Sequence, residues 1–375
     1  MEKLRKIWNW KEFYEFTEKK EHKILGLMSG TSADGLDIAN VKFVMDGDEI
    51  IYEIIDAISI PYSDEFQNKI IRAYRNDTSN VEYITKLNFE IAQIHTEMIN
   101  SLKWDYDIVS YHGQTIYHLP QHSSTLQIGE ADVLAVSLGK PVIHSFRTKD
   151  VALGGQGAPI SAYFDAYFML RNENTAVVNI GGISNVTAIN GKGKLVAFDT
   201  GPGNCLIDES CQRYLNERYD KNGEISSKGE VNDELLKELL GISKNYIERT
   251  PPKTTGREIY NLNSIENFLQ NEGKKNIVRT LVMYTAKTIA ENLKIHLPKV
   301  NHLIIFGGGA YNKTLINDIR NLGYEVTLPS PQLIEFREAI AIAFLGELFL
   351  RGSTYKETVT GAKRNSILGK LSIPM

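Results

Sequence analysis

The sequence predicts an α/β protein of two lobes, each built in the order β-β-β-α-β-α-β, with a central cleft between them. Three observations lead there. Short apolar runs of strand length end in glycine-rich turns. Longer stretches at helical spacing separate them. The whole order then occurs a second time.

The first copy opens with the apolar run 24–28 and the turn-rich Ser29-Gly30-Thr31-Ser32-Ala33-Asp34-Gly35. Strands are expected over 36–44 and 49–60, joined by Asp46-Gly47-Asp48. Residues 81–102 set Ile84, Leu87, Ile91, Ile94 and Met98 at helical spacing. A short buried strand over 107–110, a helix over 130–138 and a strand over 141–145 complete the unit. The second copy begins with a strand over 175–180 that ends in Gly181-Gly182. Strands over 184–189 and 194–198 flank Gly191-Lys192-Gly193, and a helix starts near Asn204. After a polar insertion come a long helix over 276–296, a strand over 302–306 ending in Gly307-Gly308-Gly309, a helix from Lys313, a strand over 325–328 and a helix from Arg337. This twofold order is the ground plan of ribonuclease-H-like lobes in actin-like ATPases, where the first hairpins of the two lobes face each other across the cleft. The expected division is an N-terminal extension at 1–22, a first lobe at 23–148 with 355–375, and a second lobe at 149–354.

Composition removes several functions. A chain of 375 residues, 42% hydrophobic and 23% charged, suits a soluble globular protein of two domains. A formal net charge of −4 leaves no basic excess to neutralise a phosphate backbone, so no nucleic-acid partner is expected. Cys205 and Cys211, the two cysteines, cannot form a zinc site alone and lack redox spacing; so few thiols fit a reducing compartment. The eight histidines show no helical pairing for zinc either. No run approaches the ~18 apolar residues of a membrane span. Residues 1–20 mix Trp8, Trp10, Phe13 and Phe16 with charges, which is not a signal-peptide core, so they read as a helical extension. A cytoplasmic protein with no membrane partner is expected.

Four glycine-bearing segments carry the chemistry. In 26–35, Ser29, Gly30, Thr31 and Ser32 offer hydroxyls and backbone N–H groups to phosphate oxygens, and Asp34 suits a hydrated magnesium ion. The plainer reading is a hairpin turn. No Gly-Lys-Ser/Thr follows, so this is not a Walker A loop. Gly181-Gly182 occupies the same place in the second copy, and that recurrence favours phosphate binding. Asp199, at a strand end before Thr200-Gly201-Pro202-Gly203-Asn204, sits where a general base belongs, with a capping role as the alternative. Gly308-Gly309 would let an adenosine lie flat on backbone. The segments around His112 to Thr115, Arg147 to Asp150 and Gly154 to Pro159 offer amide, hydroxyl and guanidinium groups to a sugar. For His112 a structural role stays open, and Arg147 with Asp150 could equally form a surface ion pair.

Together these segments resemble the anhydro-N-acetylmuramic acid kinase family. The matching pieces are GLMSGTSADGLD (26–37), HGQTIYH (112–118), LQIGE (126–130), FRTKDVALGGQGAPI (146–160), NIGGISNV (179–186), FDTGPGN (198–204), PPKTTGRE (251–258), FGGGAYN (306–312), EAIAIAFLG (338–346) and VTGA (359–362), in the family's order. Departures are small: Ala33 stands where the family usually carries a larger apolar residue, Ser161-Ala162 replaces the usual apolar residue and proline, and residues 1–22 lie outside the pattern. The resemblance implies ATP and Mg2+, and a reaction that opens 1,6-anhydro-N-acetylmuramic acid with water while phosphorylating O6, in cell-wall sugar recycling. It implies Asp199 as base, Thr115, Arg147 and Glu338 as sugar ligands beside His112, residues 30–34 as the phosphate and magnesium loop, and Gly308-Gly309 for adenosine. It also makes a homodimer plausible. A kinase for another anhydro-sugar such as levoglucosan would differ in the sugar pocket. A non-catalytic ATP-binding sensor would have no use for Asp199.

Overall fold

A computed structural model describes residues 9–270, 272–354 and 360–374. The chain divides into two compact units, Met1–Phe164 with Phe336–Met375, and Asp165–Glu335. The first unit holds β1 (Glu21–Ser29), β2 (Gly35–Asp46), β3 (Glu49–Pro61), β4 (Ile108–Leu119), β5 (Ser124–Ile128) and β6 (Val142–His144). The second holds β7 (Thr175–Ile180), β8 (Ile183–Ile189), β9 (Leu195–Pro202), β10 (His302–Phe306) and β11 (Glu325–Thr327). A last strand, β12 (Lys370–Ser372), pairs antiparallel with β6.

The two sheets share one topology. The first runs β12-β6-β4-β1-β2-β3, with β5 on β4; the second runs β11-β10-β7-β8-β9. In each, the opening strand is antiparallel to the second and parallel to the fourth of the repeat. This 3-2-1-4-5 order, with one antiparallel hairpin set beside a parallel pair, is the ribonuclease-H-like arrangement that the twofold element order predicts.

In the first unit, β1 is central and buried on both faces, which is why it reads as an unbroken apolar run. Leu25 and Leu27 join the cluster built with Leu87 and Ile91 of the helix Val81–Leu102. The alternate residues face the helix Pro331–Leu350. A Cβ on Gly26 would stand 2.1 Å from the Ala339 carbonyl oxygen, and one on Gly346 would stand 2.8 Å from Ser110 Oγ. Ser110 Oγ also donates to the Ile342 carbonyl. The small residues of 338–346 therefore let helix and sheet approach closely.

The N-terminal segment is part of the same unit. Asn9 caps the helix Trp10–Thr17, and Phe13 and Phe16 are buried. His22 reaches Glu347 through Nδ1 at 2.8 Å and the Phe16 carbonyl through Nε2 at 2.9 Å. Arg351 Nε donates to Glu347 as well. Residues 1–8 of the expected extension lie outside the described residues, as do residues 355–359.

Several elements differ from expectation. β4 extends to Leu119 because it folds back on β5, a hairpin hidden by polar residues that turn out to be buried. The helices Asp64–Ala73, Phe146–Ala152, Ala162–Phe168 and Asp233–Glu248 are additional to the expected order. The boundaries expected at 148/149 and 354/355 fall instead at 164/165 and 335/336. The glycine-rich 154–157 stays with the first unit because buried Asp150 accepts from Gly157 N–H and from the Thr360 hydroxyl. Most of the C-terminal helix stays there because of its packing on β1. In the second unit the helix Lys274–His296 buries Ile277, Leu281 and Ile289 in the cluster under β7, β8 and β10. Among the described residues no helix is long and apolar enough to cross a membrane.

Candidate active site

In the first unit the segment 30–34 joins β1 to β2 as an open loop. Thr31, Ser32 and Asp34 are exposed, while Ala33 is buried with φ 52°. Ser32 Oγ donates to Asp34 Oδ1 at 2.8 Å, so hydroxyl and carboxylate act as one polar tip. Ser29 does not join them. It is buried, and its hydroxyl is committed beneath the loop to Gln114 and the Gly35 carbonyl. The expectation that its side chain binds phosphate is corrected on that ground. One hydrogen-bond arrangement satisfies the whole layer under the loop. Tyr111 OH donates to His95 Nδ1 (2.8 Å), His95 Nε2–H to Tyr62 (2.6 Å), Tyr62 O–H to Ser29 (2.9 Å), and Ser29 to Gln114. Gln114 Nε2 then donates to the Gly30 carbonyl at 2.9 Å and to Tyr74 OH at 2.9 Å. Burial lowers the His95 pKa to about 3, so the ring is a neutral relay member.

The same unit gathers the expected sugar ligands. His112 is buried on β4; its Nδ1–H donates to the Gly113 carbonyl at 2.8 Å and Nε2 accepts from Arg147 Nε at 2.8 Å. Burial, then the Arg147 charge, push His112 down to about 3, which fixes it as a neutral acceptor. Arg147 is the second residue of the helix Phe146–Ala152. Burial lowers its pKa and the Glu338 carboxylate opposes that shift, which places an exposed acid in its field. Thr115 lies further along β4, nearly buried, its hydroxyl 3.4 Å from Gln127 Nε2. His118, for which the sequence suggests no role, also feels the Arg147 charge. Asp150 makes no surface pair with Arg147; it is the buried clamp of the 154–157 segment already described.

In the second unit the turn between β7 and β8 is sealed rather than open. The Gly182 carbonyl accepts from the N–H groups of Gly203 (2.9 Å) and Cys205 (3.1 Å), and the Gly181 carbonyl from Asn204 N–H (2.7 Å). A Cβ on Gly203 would stand 2.3 Å from the Gly181 oxygen, which explains the glycine in Gly201-Pro202-Gly203. Among the triple glycines, Gly307 (φ 78°) and Gly309 are pressed on Ile180, and Gly309 is buried. Gly308 alone of the three is exposed and lines a cavity. Gly309 packs on Ile180 of β7, so of the two glycines expected at the adenosine Gly308 is the one that faces the cavity.

Asp199 lies on β9, half-buried. Its Oδ2 accepts from Thr255 N–H at 2.9 Å, its own N–H donates to the Lys253 carbonyl at 3.1 Å, and its carbonyl accepts from Tyr246 OH at 2.9 Å. The carboxylate therefore caps neither the turn nor the helix Cys205–Ser210. It is aimed by residues 251–258. Burial raises its pKa and the Thr255 N–H opposes that, which moves it towards the range useful for accepting a proton. Lys253, 2% exposed, anchors that segment through Nζ to the carbonyls of Tyr246 (3.0 Å) and Ile247 (2.8 Å) at the C-terminal end of the helix Asp233–Glu248.

Beside the sealed turn is a cavity of about 840 Å³ within the second unit. Asn204, Asp208, Arg257, Gly308, Tyr311 and Asn312 are among its walls. Burial raises the Asp208 carboxyl to about 6, and the Arg257 charge partly opposes this. Sequence reasoning gives no role to Thr255, Lys253, Arg257, Tyr246 or Asp208. The signal available is the polar, aperiodic PPKTTGRE stretch, too unlike a strand or helix to be scaffold alone. Among the described residues no three His, Cys, Asp or Glu side chains gather as a metal site.

The family model described as "Anhydro-N-acetylmuramic acid kinase" matches residues 22–374. Curated proteins of that name are similar along the chain. One from Clostridioides difficile (strain 630) is 39% identical, covering 93% of this chain and 97% of its own length. One from Caldanaerobacter subterraneus subsp. tengcongensis is 37% identical over 100% of both chains. One from Bacillus cereus is 37% identical, over 94% of this chain and 99% of its own length. With a family match across nearly its whole length and relatives of equal extent, the chain belongs to the anhydro-N-acetylmuramic acid kinase family.

Proposed function

We propose that the chain consumes 1,6-anhydro-N-acetylmuramic acid, ATP and water, and releases N-acetylmuramic acid 6-phosphate and ADP. Family membership supports the kinase activity and the anhydro-sugar. The single observation that carries the chemistry is Asp199. A half-buried carboxylate is held by a backbone N–H on one oxygen and has a raised proton affinity. In the reaction, water adds to the anomeric carbon and gives its proton to Asp199. The bond from that carbon to O6 breaks, O6 bonds to the γ-phosphorus, and the bond to the β,γ-bridging oxygen breaks to release ADP.

The other residues bind and orient. Arg147, held by His112 and in the field of Glu338, presents its remaining donors to the sugar with Thr115. In the first unit the loop 30–34 offers N–H groups and the Thr31 hydroxyl to phosphate oxygens, while the Ser32 hydroxyl backs Asp34. In the second unit Gly308 and the adjoining cavity receive the nucleoside, with Gly181-Gly182 at its phosphate end. Asp34 fits a magnesium ion that keeps most of its waters: it is exposed, single, and backed by the Ser32 hydroxyl. When bound, the ion neutralises phosphate charge.

The test is turnover in ¹⁸O-labelled water. The label is expected at the anomeric hydroxyl of the product, with none in the phosphate ester. Label in the phosphate would show hydrolysis at phosphorus and refute the coupled opening. Steady ATP loss without anhydro-sugar consumption would refute the kinase reading.

A further inference from the structure

Arg257 presents an unassigned feature next to the sealed glycine turn. Its guanidinium lies flat on Gly182: a Cβ built there would stand 2.6 Å from Nη2, 2.8 Å from Nε and 3.1 Å from Cζ. A methyl group there would have to push the guanidinium aside. Arg257 is exposed and lines the 840 Å³ cavity together with Asn204 and Gly308. Among the described residues nothing donates to, accepts from or ion-pairs with this guanidinium. Two other arginines of the unit are committed: Arg279 is bidentate on Asp318 and Arg213 is bound to Glu209 and Asn263. Arg257 is thus an arginine placed by backbone shape, with its donors free, at the edge of a nucleoside-sized cavity. An arginine fork matches a phosphate in charge and in spacing.

We infer that Arg257 grips the phosphate chain of the nucleotide from the second unit, and that Gly182 exists to seat its guanidinium. This rests on the nucleotide reading of the cavity. The segment 251–258 then has two tasks on one short stretch. Thr255 N–H holds Asp199, and two residues later Arg257 holds phosphate. A bound nucleotide would fix the segment that aims the base.

The experiment compares wild-type protein with Arg257→Gln, Arg257→Lys and Gly182→Ala, by calorimetric binding of ATP, ADP and adenosine and by steady-state kinetics in ATP. Thermal melts check that each variant is folded. Arg257→Gln is expected to weaken ATP and ADP about 10- to 100-fold, the scale of a lost charged hydrogen-bond pair, and to leave adenosine within about twofold. Arg257→Lys should recover part of the loss, since it returns the charge without the fork. Gly182→Ala keeps the arginine but displaces it, and should copy the Arg257→Gln pattern. Unchanged ATP affinity in Arg257→Gln would overturn the inference while leaving the cavity reading intact. An equal loss for adenosine and ATP would show a merely structural role and overturn it too. If wild-type protein binds ATP but an adenosine competitor and cavity-wall substitutions such as Gly308→Val have no effect, the cavity reading itself fails, and this inference with it.

Discussion

The two opening hairpins occupy the same place in the same strand order, yet they are built oppositely. Between β1 and β2 the chain makes a wide loop, tipped by exposed Thr31, Ser32 and Asp34 above a buried relay of hydrogen bonds. Between β7 and β8 it turns on Gly181 and Gly182, whose carbonyls are tied down by residues 203–205, and the polar groups come from elsewhere. The first hairpin carries its chemistry in its own side chains. The second supplies a flat surface and takes its carboxylate from β9 and its guanidinium from the segment 251–258. Shared topology fixes where a site sits, and burial then decides which kind of group can work there. Asp34, in water, suits a hydrated cation; Asp199, half-buried, suits a proton.

That contrast can be broken at its strongest point. Asp199→Asn keeps the shape but cannot take a proton. Turnover should fall by about 10²–10⁴, with ATP binding nearly unchanged by calorimetry. A variant retaining more than a tenth of wild-type turnover would remove Asp199 from the role. A smaller effect is expected in the first hairpin. Asp34→Asn should raise the magnesium concentration for half-maximal rate about 10- to 100-fold, the scale seen when a partner to an ion's outer shell is lost, and excess magnesium should restore the rate. Loss of rate that magnesium cannot restore would mean that Asp34 does not serve a cation.

The smallest effect concerns Asp208. Burial raises its carboxyl to about 6 in the folded chain, above the ordinary 3.8 expected on unfolding. Between roughly pH 4 and 6 the folded protein therefore holds a proton that the unfolded chain has released, and stability falls as pH rises through that window. Asp208→Asn should flatten this part of the stability profile in urea unfolding at pH 4.5 and 7, and make the protein relatively more stable at pH 7. An unaltered slope would show that Asp208 is ordinarily solvated.

Much of this is legible in the sequence. β1, β7, β10 and the two long helices follow from period and length, and the glycine turns mark both hairpins. Asp199 can be singled out as a carboxylate shortly before Gly-Pro-Gly, but the sequence leaves base and cap equally open, and only the Thr255 N–H on its Oδ2 argues against the cap. What cannot be read is contact between distant segments. Ser29 looks as available as Ser32 in sequence, and only the Gln114 and Tyr62 side chains beneath it take it out of reach. Gly309 looks the same as Gly308, yet one presses on Ile180 and the other faces the cavity. Thr255 acts through its backbone N–H, which carries no residue signature at all. β5 escapes detection because its partner β4 hides polar side chains where alternation should show.

The close packing of Gly26 against Ala339 and Ala343 has a consequence for the order of events during synthesis. One face of β1 leaves the ribosome early and waits for a helix encoded more than 300 positions later. The second unit, by contrast, is a single uninterrupted stretch, Asp165–Glu335, and its main apolar cluster is, among the described residues, drawn from within that span. As the nascent chain emerges, the later unit can therefore mature before the earlier one. The apolar face of β1 stays open to chaperones, or to misassociation, until Pro331–Leu350 arrives to cover it.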